Sequence, residues 1–541
     1  MDDQTKSFWW KIWGRPVRFF LWLTGLLLLL YFVSAGHDRV RLDQVGVWRV
    51  DKPWTLCALI CGMAAVVSVF FLVLSLIRPT RPLASWILRR WFFCAAVLAT
   101  VVALFYAEEN WRGKRVWEKT KHDIEASGAV LNWDEFIPPP VPDDQNIFKA
   151  PKMEDWFVKD IHHKLNSNEL TVLLRSPTNF PVWGSTNNIQ TEADARAYLA
   201  WSDQLQPQFN LIRDALKRPY ARMDGDYSQM MVLPFPNFVA VREVARVLAQ
   251  RSHCYLLLHQ PDKALAELAL IHDLRHLLEA APSGKPMTLV GAMINVAVAG
   301  LYVDVIGGSF RLHAWKDEDL AELEKQLSEI HLMIPVAAAF QAEPAATTRT
   351  LETVPISQVL KEVGPELNLL RIAPRGWVFQ NLAQQTPFLY SRLEGLDAAL
   401  ESVSPRPLNE AQARMEKFLS HRSPYNILAR LMLPNVLKAI QTTARNQSLV
   451  NEARVACALE RYKLAHGQYP DSLDALAPQF IEKIPHDVIN DGQLKYRRSD
   501  DGFVLYSVGW NEKDDGGAQM LTDDGRSDWI NGDLVWNYSR K

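Results

Sequence analysis

The stretch LERYKLAHGQYPDSLDAL, residues 459–476, decides how the C-terminal part of the chain folds. It reads as the end of a charged helix, a stop at Gly467, a corner at Pro470 and a second short helix. Asp471 or Ser472 can cap the start of that second helix, because a short side-chain oxygen accepts otherwise unpaired backbone N–H groups. Nothing in the stretch is typical of a catalytic site.

The segments around this stretch predict a small α+β module over 434–541. A long helix is predicted over about 434–465, ahead of the Gly467 stop. Two β-rich runs follow at 493–498 and 503–509, joined by SDDG, which is typical of a hairpin turn. A last strand is predicted over 533–538, after a loop rich in Asp and Gly.

This order of elements resembles the globular part of the major pseudopilins of type II secretion. Members of that family carry Pro-Asn-Val in the long helix, an aromatic-Pro corner and a YSLG-type strand. Here PNV (434–436) precedes YP (469–470) at a similar spacing, and LYSVG (505–509) stands at the place of the strand. The whole chain also resembles uncharacterised bacterial multi-span membrane proteins that share the segment IPPPVPDDQN (137–146).

The pseudopilin resemblance implies a calcium site in the acidic loop near the C-terminus. Where the family has Ala-Asp-Gly, this chain has WNE at 510–512, so an Asn replaces an Asp and one charge is lost. Calcium takes oxygen ligands. The candidate metal ligands are Asn511, Asp514, Asp515 and Asp533. The alternative interpretation is a solvated acidic turn without a metal.

Three apolar runs crowd the first 107 residues and predict transmembrane helices over 17–36, 54–77 and 91–107. Each run is long enough, at roughly 1.5 Å per residue, to cross a bilayer core of roughly 30 Å. Tryptophans flank the runs, as in an interfacial aromatic belt. A soluble apolar core is the alternative interpretation.

Two of the apolar segments have a further alternative. The run 17–36 follows basic residues and ends in VSA, so it also has the features of a cleaved signal peptide. The segment 287–308 is apolar but contains Asn295 and Asp304, which are costly in lipid. We therefore expect 287–308 to be a buried core helix, with a fourth membrane span as the alternative.

The membrane region 1–107 is expected to place the rest of the chain in the periplasm. The short loop 78–90 has four arginines and no acid, which favours a cytoplasmic N-terminus and a multi-pass protein of the bacterial inner membrane. Residues 108–151 are predicted to form a juxtamembrane helix and a Pro-rich linker. Residues 152–433 are predicted to form a mainly helical extracytoplasmic domain.

Composition and motifs exclude several functions. The net charge of −2, with 59 basic and 61 acidic residues, gives no electrostatic case for nucleic acid. The five cysteines show neither a disulfide framework nor metal-ligand spacing. His272, His276 and Glu279 share a helix face at i, i+4 and i+7, a spacing that can hold zinc, although the HExxH arrangement is missing. A polar or packed helix surface is the alternative.

These observations predict a protein without catalytic residues. We expect a structural or interaction role in the cell envelope or in a secretion-like assembly, with the lipid bilayer and other envelope proteins as partners. The alternative function is an extracytoplasmic metal-dependent hydrolase that uses His272, His276 and Glu279.

Overall fold

The computed structural model describes residues 81–159, 169–175, 189–227, 234–279, 288–354, 356, 358, 373–391, 394–421, 423–433, 436–499, 502–523 and 525–536. The α-helices are α1 (Arg81–Ala126), α2 (Met153–Phe157), α3 (Glu169–Leu173), α4 (Glu192–Ser202), α5 (Gln206–Ala215), α6 (Phe238–Leu257), α7 (Pro261–Leu274), α8 (His276–Glu279), α9 (Leu289–Phe310), α10 (Asp317–Ser328), α11 (Met333–Thr353), α12 (Arg375–Ser391), α13 (Pro405–Ser420), α14 (Ile427–Met432) and α15 (Val436–His466). The strands are β1 (Val158–Lys159), β2 (Phe235–Pro236), β3 (Leu396–Asp397), β4 (Ser402–Val403), β5 (Lys495–Ser499), β6 (Gly502–Ser507) and β7 (Leu534–Val535).

The chain divides into two compact units, residues 1–119 with 351–380 and residues 120–350 with 381–541. In the first unit, α1 crosses the start of α12 with backbone in direct contact. A Cβ atom added to Gly376 would lie 1.9 Å from the carbonyl oxygen of Glu109, so only glycine fits there. Trp377 donates its indole N–H to the buried Glu109 carboxylate at 3.0 Å. This polar contact fixes the crossing.

Helix α1 is 46 residues long and contains the third predicted span, 91–107. No proline interrupts the charged residues that follow, so the helix continues until Gly128, whose φ of 89° ends it in the left-handed conformation. Within the predicted span, several large apolar side chains are exposed. They are Val97, Val101, Val102, Leu104 and Phe105.

The core of the second unit is built by helices that pack in pairs. Helices α6 and α7 form an antiparallel hairpin, α9 packs on α6, and α15 packs on both α9 and α10. The core side chains are apolar and fully buried, for example Leu248, Val298 and Leu459. Residues of the C-terminal segment, among them Phe503 and Leu505, belong to the same apolar cluster.

The sheet of the second unit is antiparallel with the strand order β5-β6-β7. Tyr506 of β6 lies opposite Lys495 on one side and Val535 on the other. The long helix predicted over about 434–465 is observed at Val436–His466, and the predicted hairpin strands are observed as β5 and β6.

The predicted fold class, three membrane spans followed by a helical domain and a pseudopilin-like α+β module, is wrong. The structure is mainly helical (64%), with only small sheets. The predicted spans 17–36 and 54–77 lie outside the described residues, and 91–107 is part of a longer helix rather than a separate apolar one.

Among the described residues, one helix is long and apolar enough to cross a membrane, α9 (Leu289–Phe310). Its most apolar window is 56% buried inside the protein. Asn295, in the first half of α9, accepts a hydrogen bond from the Arg275 Nε–H at 3.0 Å and also contacts Glu279. A core helix passes the same test of length and composition, and the packing of α9 on α6 and α15 agrees with that interpretation.

Candidate functional site

The acidic loop between β6 and β7 brings three of the four predicted calcium ligands together. Asn511 donates its amide N–H groups to Asp515 Oδ2 at 3.1 Å and to the Asn531 carbonyl at 2.8 Å. Asp533, which is fully buried, accepts the backbone N–H of Gly517 at 2.7 Å and that of Asp515 at 3.3 Å. The loop is therefore closed by its own hydrogen bonds.

The fourth predicted ligand, Asp514, is bound to other groups. Its Oδ1 accepts the Gly516 backbone N–H at 3.0 Å and the Tyr506 hydroxyl at 2.9 Å, and Oδ2 lies 3.8 Å from Lys495 Nζ. The Gly516 bond, followed by the Tyr506 bond, lowers the pKa of Asp514. Burial, with a contribution from Asp514, raises the pKa of Tyr506 to about 12.

In this structure the four side chains are hydrogen-bonded to groups of the protein. The Asn511 amide nitrogen donates to both the Asp515 carboxylate and the Asn531 carbonyl, so these two oxygens already have a donor. Burial raises the pKa of Asp533, and the nearby Asp515 and Asp514 add to that rise. The described chain also contains no group of three or more His, Cys, Asp or Glu arranged to hold a metal ion. Calcium binding by Asn511, Asp514, Asp515 and Asp533 therefore stays a prediction.

The residues of the hydrolase alternative lie on two successive helices, α7 and α8, which meet at Arg275. The rings of His272 and His276 are 6.4 Å apart between centroids. Glu279 accepts a hydrogen bond from Arg275 Nη2 at 2.6 Å and is also bonded to the Asn295 amide. Burial lowers the pKa of His276. Glu279 therefore links α8 to α9 through its hydrogen bonds, and such contacts are typical of a structural residue.

A cleft that sequence reasoning did not predict lies between α6, α9, α15 and β7. Its volume is about 820 Å³, within the range of small-molecule sites. Helix α9 contributes Asp304 and three glycines, and α15 contributes Arg445. We define the apolar wall of the cleft by four of its lining residues. They are Leu301, Leu449, Leu534 and Trp536.

Glycines on α9 allow the neighbouring elements to come close. A Cβ atom added to Gly300 would lie 2.4 Å from the side-chain oxygen of Asn446 on α15. The indole ring of Trp536 lies against Gly307, 3.4 Å from an added Cβ, and meets Phe310 edge-on at 6.3 Å between centroids. The glycines therefore allow both α15 and the end of the sheet to pack closely against α9.

Arg445 is the distinctive polar residue of the cleft. It is half-buried and, within the described part of the chain, its guanidinium forms no hydrogen bond and no ion pair. Burial lowers the pKa of Arg445, although the negative charges of Glu452 and Asp304 act in the opposite direction. The cleft therefore presents a cation that is partly removed from water and has no hydrogen-bond or ion-pair partner among the described residues.

Buried acids lie one heptad further along α15 and in the adjacent loop. Glu452 Oε1 accepts the Ser507 backbone N–H at 3.2 Å, and Glu452 Oε2 has no hydrogen-bond partner among the residues described. Burial raises the pKa of Glu452 well above its usual value, and the neighbouring Asp487 adds to this. Burial therefore works against the charged form of Glu452, although the charge of Glu452 also acts on Arg445.

The sequence carried a weak signal for this cleft. Gly300, Asp304 and Gly307 recur at helical spacing in an otherwise apolar segment, and Arg445 is a cation within a helix segment of small and polar residues. Arg445 lies far along the chain from the three residues of α9, so only the tertiary packing of α9 on α15 reveals that all four face one cavity.

The chain matches no known family model, no curated protein and no solved structure. The resemblance to pseudopilins and to bacterial multi-span membrane proteins accordingly stays a prediction from sequence motifs.

Proposed function

We propose that this protein has a non-catalytic binding role in the bacterial cell envelope, and that the cleft between α6, α9, α15 and β7 is its binding site. The observation that carries the proposal is Arg445, a half-buried guanidinium without a hydrogen-bond partner among the described residues, in a cavity of about 820 Å³. An unpaired cation next to apolar side chains is typical of a site that awaits an anionic ligand.

The contacts of the other candidate residues support binding rather than catalysis. Glu279, the carboxylate of the hydrolase alternative, already accepts hydrogen bonds from Arg275 and Asn295. A zinc ligand or general base has to be available to the metal or to the substrate. The acidic loop is likewise occupied by its own donors, as at Asn511.

We place the protein at a membrane on a separate observation. The exposed apolar side chains of α1, such as Val101 and Leu104, lie on a helix whose next turns are charged. A lipid bilayer is a partner of matching chemistry, and other envelope proteins are the expected partners of the rest of the chain.

A complementation experiment in the source bacterium tests the binding role. A strain without the gene receives the wild type, Arg445→Gln or His276→Gln, and its resistance to detergent is measured at matched protein levels. The proposal predicts that Arg445→Gln fails to restore resistance whereas His276→Gln restores it. The opposite pattern, or stoichiometric zinc in the purified full-length protein, would support the hydrolase and contradict the proposal.

A further inference from the structure

We propose that the cleft binds a small amphipathic carboxylate, with the carboxylate group on the Arg445 guanidinium and the apolar body on the apolar wall. This inference rests on the proposed binding role and deepens it by naming the class of ligand.

The geometry of the guanidinium selects the head group. Arg445 presents a planar fork of donors, which matches the two oxygens of a carboxylate. Asp304 lines the same cleft on α9. Arg311 also lines the cleft, so the lining carries two cations and one carboxylate, and a ligand with a single negative charge is sufficient to pair with Arg445.

The apolar wall selects the body of the ligand. Leu301 and Leu449 face the cleft from α9 and α15, and Trp536 closes it from the end of β7. The cavity of about 820 Å³ matches a small molecule and is too small for a folded partner. Burial of apolar surface would add to the affinity that the carboxylate supplies.

The buried acid near Arg445 supports the same inference. Glu452 Oε1 is used by the Ser507 backbone N–H, and burial favours the uncharged form of Glu452. Asp304 supplies a negative charge in the same cleft, but no described residue bonds to the Arg445 guanidinium, so a ligand carboxylate would supply that contact.

Titration calorimetry of the full-length chain in lipid nanodiscs tests the proposal with two matched probes. 4-Phenylbutyrate carries a carboxylate on an apolar body, and 4-phenylbutanamide is its neutral isostere. A hydrogen bond to a charged group predicts that the wild type binds the carboxylate on the order of tenfold or more tightly than the amide. Equal affinities, or no binding of either probe, would overturn the proposal, and this comparison needs no variant.

Two substitutions test whether the carboxylate binds at Arg445. Arg445→Gln is expected to reduce the affinity for 4-phenylbutyrate to that for the amide. Lys483→Gln removes an exposed cation that does not line the cleft, and it is expected to leave the affinity unchanged. If both variants bind 4-phenylbutyrate as the wild type does, the carboxylate does not bind at Arg445 and the proposal fails.

The natural carboxylate could be a fatty acid or the C-terminus of a short apolar peptide, which share this chemistry. A third titration with N-acetyl-leucyl-leucine separates these sources. Tighter binding of the peptide than of 4-phenylbutyrate assigns the site to peptide ends, and the reverse order assigns it to acyl chains. If no carboxylate binds but Arg445→Gln still fails in complementation, the class of ligand is wrong while the binding role stands.

Discussion

Glu452 on α15 accepts the backbone N–H of Ser507 on β6 at 3.2 Å, and both residues are completely buried. The bond joins the long helix to the sheet inside the shared core. Ser507 also donates its hydroxyl to Asp487 Oδ1 at 2.6 Å, so two buried acids meet at one residue. Burial raises the pKa of both Glu452 and Asp487.

The raised pKa of Glu452 makes stability dependent on pH. The stabilisation is fully present below pH 4.5, which is near the pKa of Glu452 in the unfolded chain. It is lost as pH rises toward the higher pKa of Glu452 in the folded protein, because the unfolded chain releases the proton more easily. One such group lowers the free energy of unfolding by up to about 1.4 kcal/mol per pH unit in that window.

We therefore expect Glu452→Gln to reduce the fall in Tm between about pH 5 and about pH 8, since glutamine keeps the acceptor for Ser507 without ionising. Asp487 is expected to produce the part of the fall that remains. Glu482→Gln, at an exposed position, is the control and should reproduce the wild-type profile. A Glu452→Gln variant with the full wild-type slope would contradict this account of the core.

The crossing of α1 and α12 predicts a sharp difference between two glycine substitutions. Gly376→Ala would place a methyl group 1.9 Å from the Glu109 carbonyl oxygen and force the helices apart, at a cost of about 1–3 kcal/mol. Gly308→Ala adds the same methyl group to α9 where nothing lies within 4 Å, and should stabilise by about 0.5–1 kcal/mol. Thermal unfolding measures both, and equal effects would refute the close contact.

The Arg275–Glu279–Asn295 network predicts a structural rather than catalytic phenotype. Arg275 is buried and donates to both partners, so Arg275→Ala should lower the free energy of unfolding by about 2–4 kcal/mol. His276→Gln, at a neighbouring position without such bonds, should cost less than about 1 kcal/mol. Denaturant unfolding gives both values, and a stable Arg275→Ala variant would argue against this role of the network.

The acidic loop predicts how calcium acts on stability. In the wild type the Asn511 amide bridges Asp515 and the Asn531 carbonyl, so millimolar calcium should leave Tm unchanged relative to a chelator. Asn511→Asp replaces the donor by a carboxylate, next to Asp515 and Asp533, and should become calcium-stabilised by several degrees. A wild-type protein whose Tm rises with calcium would show that the loop rearranges to bind the ion.

Local signals in the sequence predicted the C-terminal elements well. The stop at Gly467, whose φ is 77°, ends α15 one residue before it, and the turn before Gly502 separates β5 from β6. These features depend on neighbouring residues only. The continuation of α1 beyond residue 107 also depends on local sequence, because the charged residues of these turns are compatible with a helix.

Features that depend on tertiary packing could not be predicted. The cleft joins Asp304, Arg445 and Trp536, which lie more than 90 residues apart along the chain at each step. The spacing of His272 and His276 was compatible with a metal site, but the hydrogen bond of Glu279 to Asn295 depends on packing against α9. The sequence favoured a core helix for 287–308 because of Asn295 and Asp304, and the packing of α9 on α6 and α15 agrees with that prediction.

The most direct test of the central claim is the reactivity of Arg445 toward phenylglyoxal, followed residue by residue with mass spectrometry on the full-length protein. We expect Arg445 to be modified in the free protein, because its guanidinium lines an open cleft without a hydrogen-bond partner in the described chain. Addition of 4-phenylbutyrate should slow that modification severalfold and leave Arg218, outside the cleft, unaffected. Modification of Arg445 at the same rate with and without the carboxylate would contradict the claim that the cleft is a binding site for such ligands.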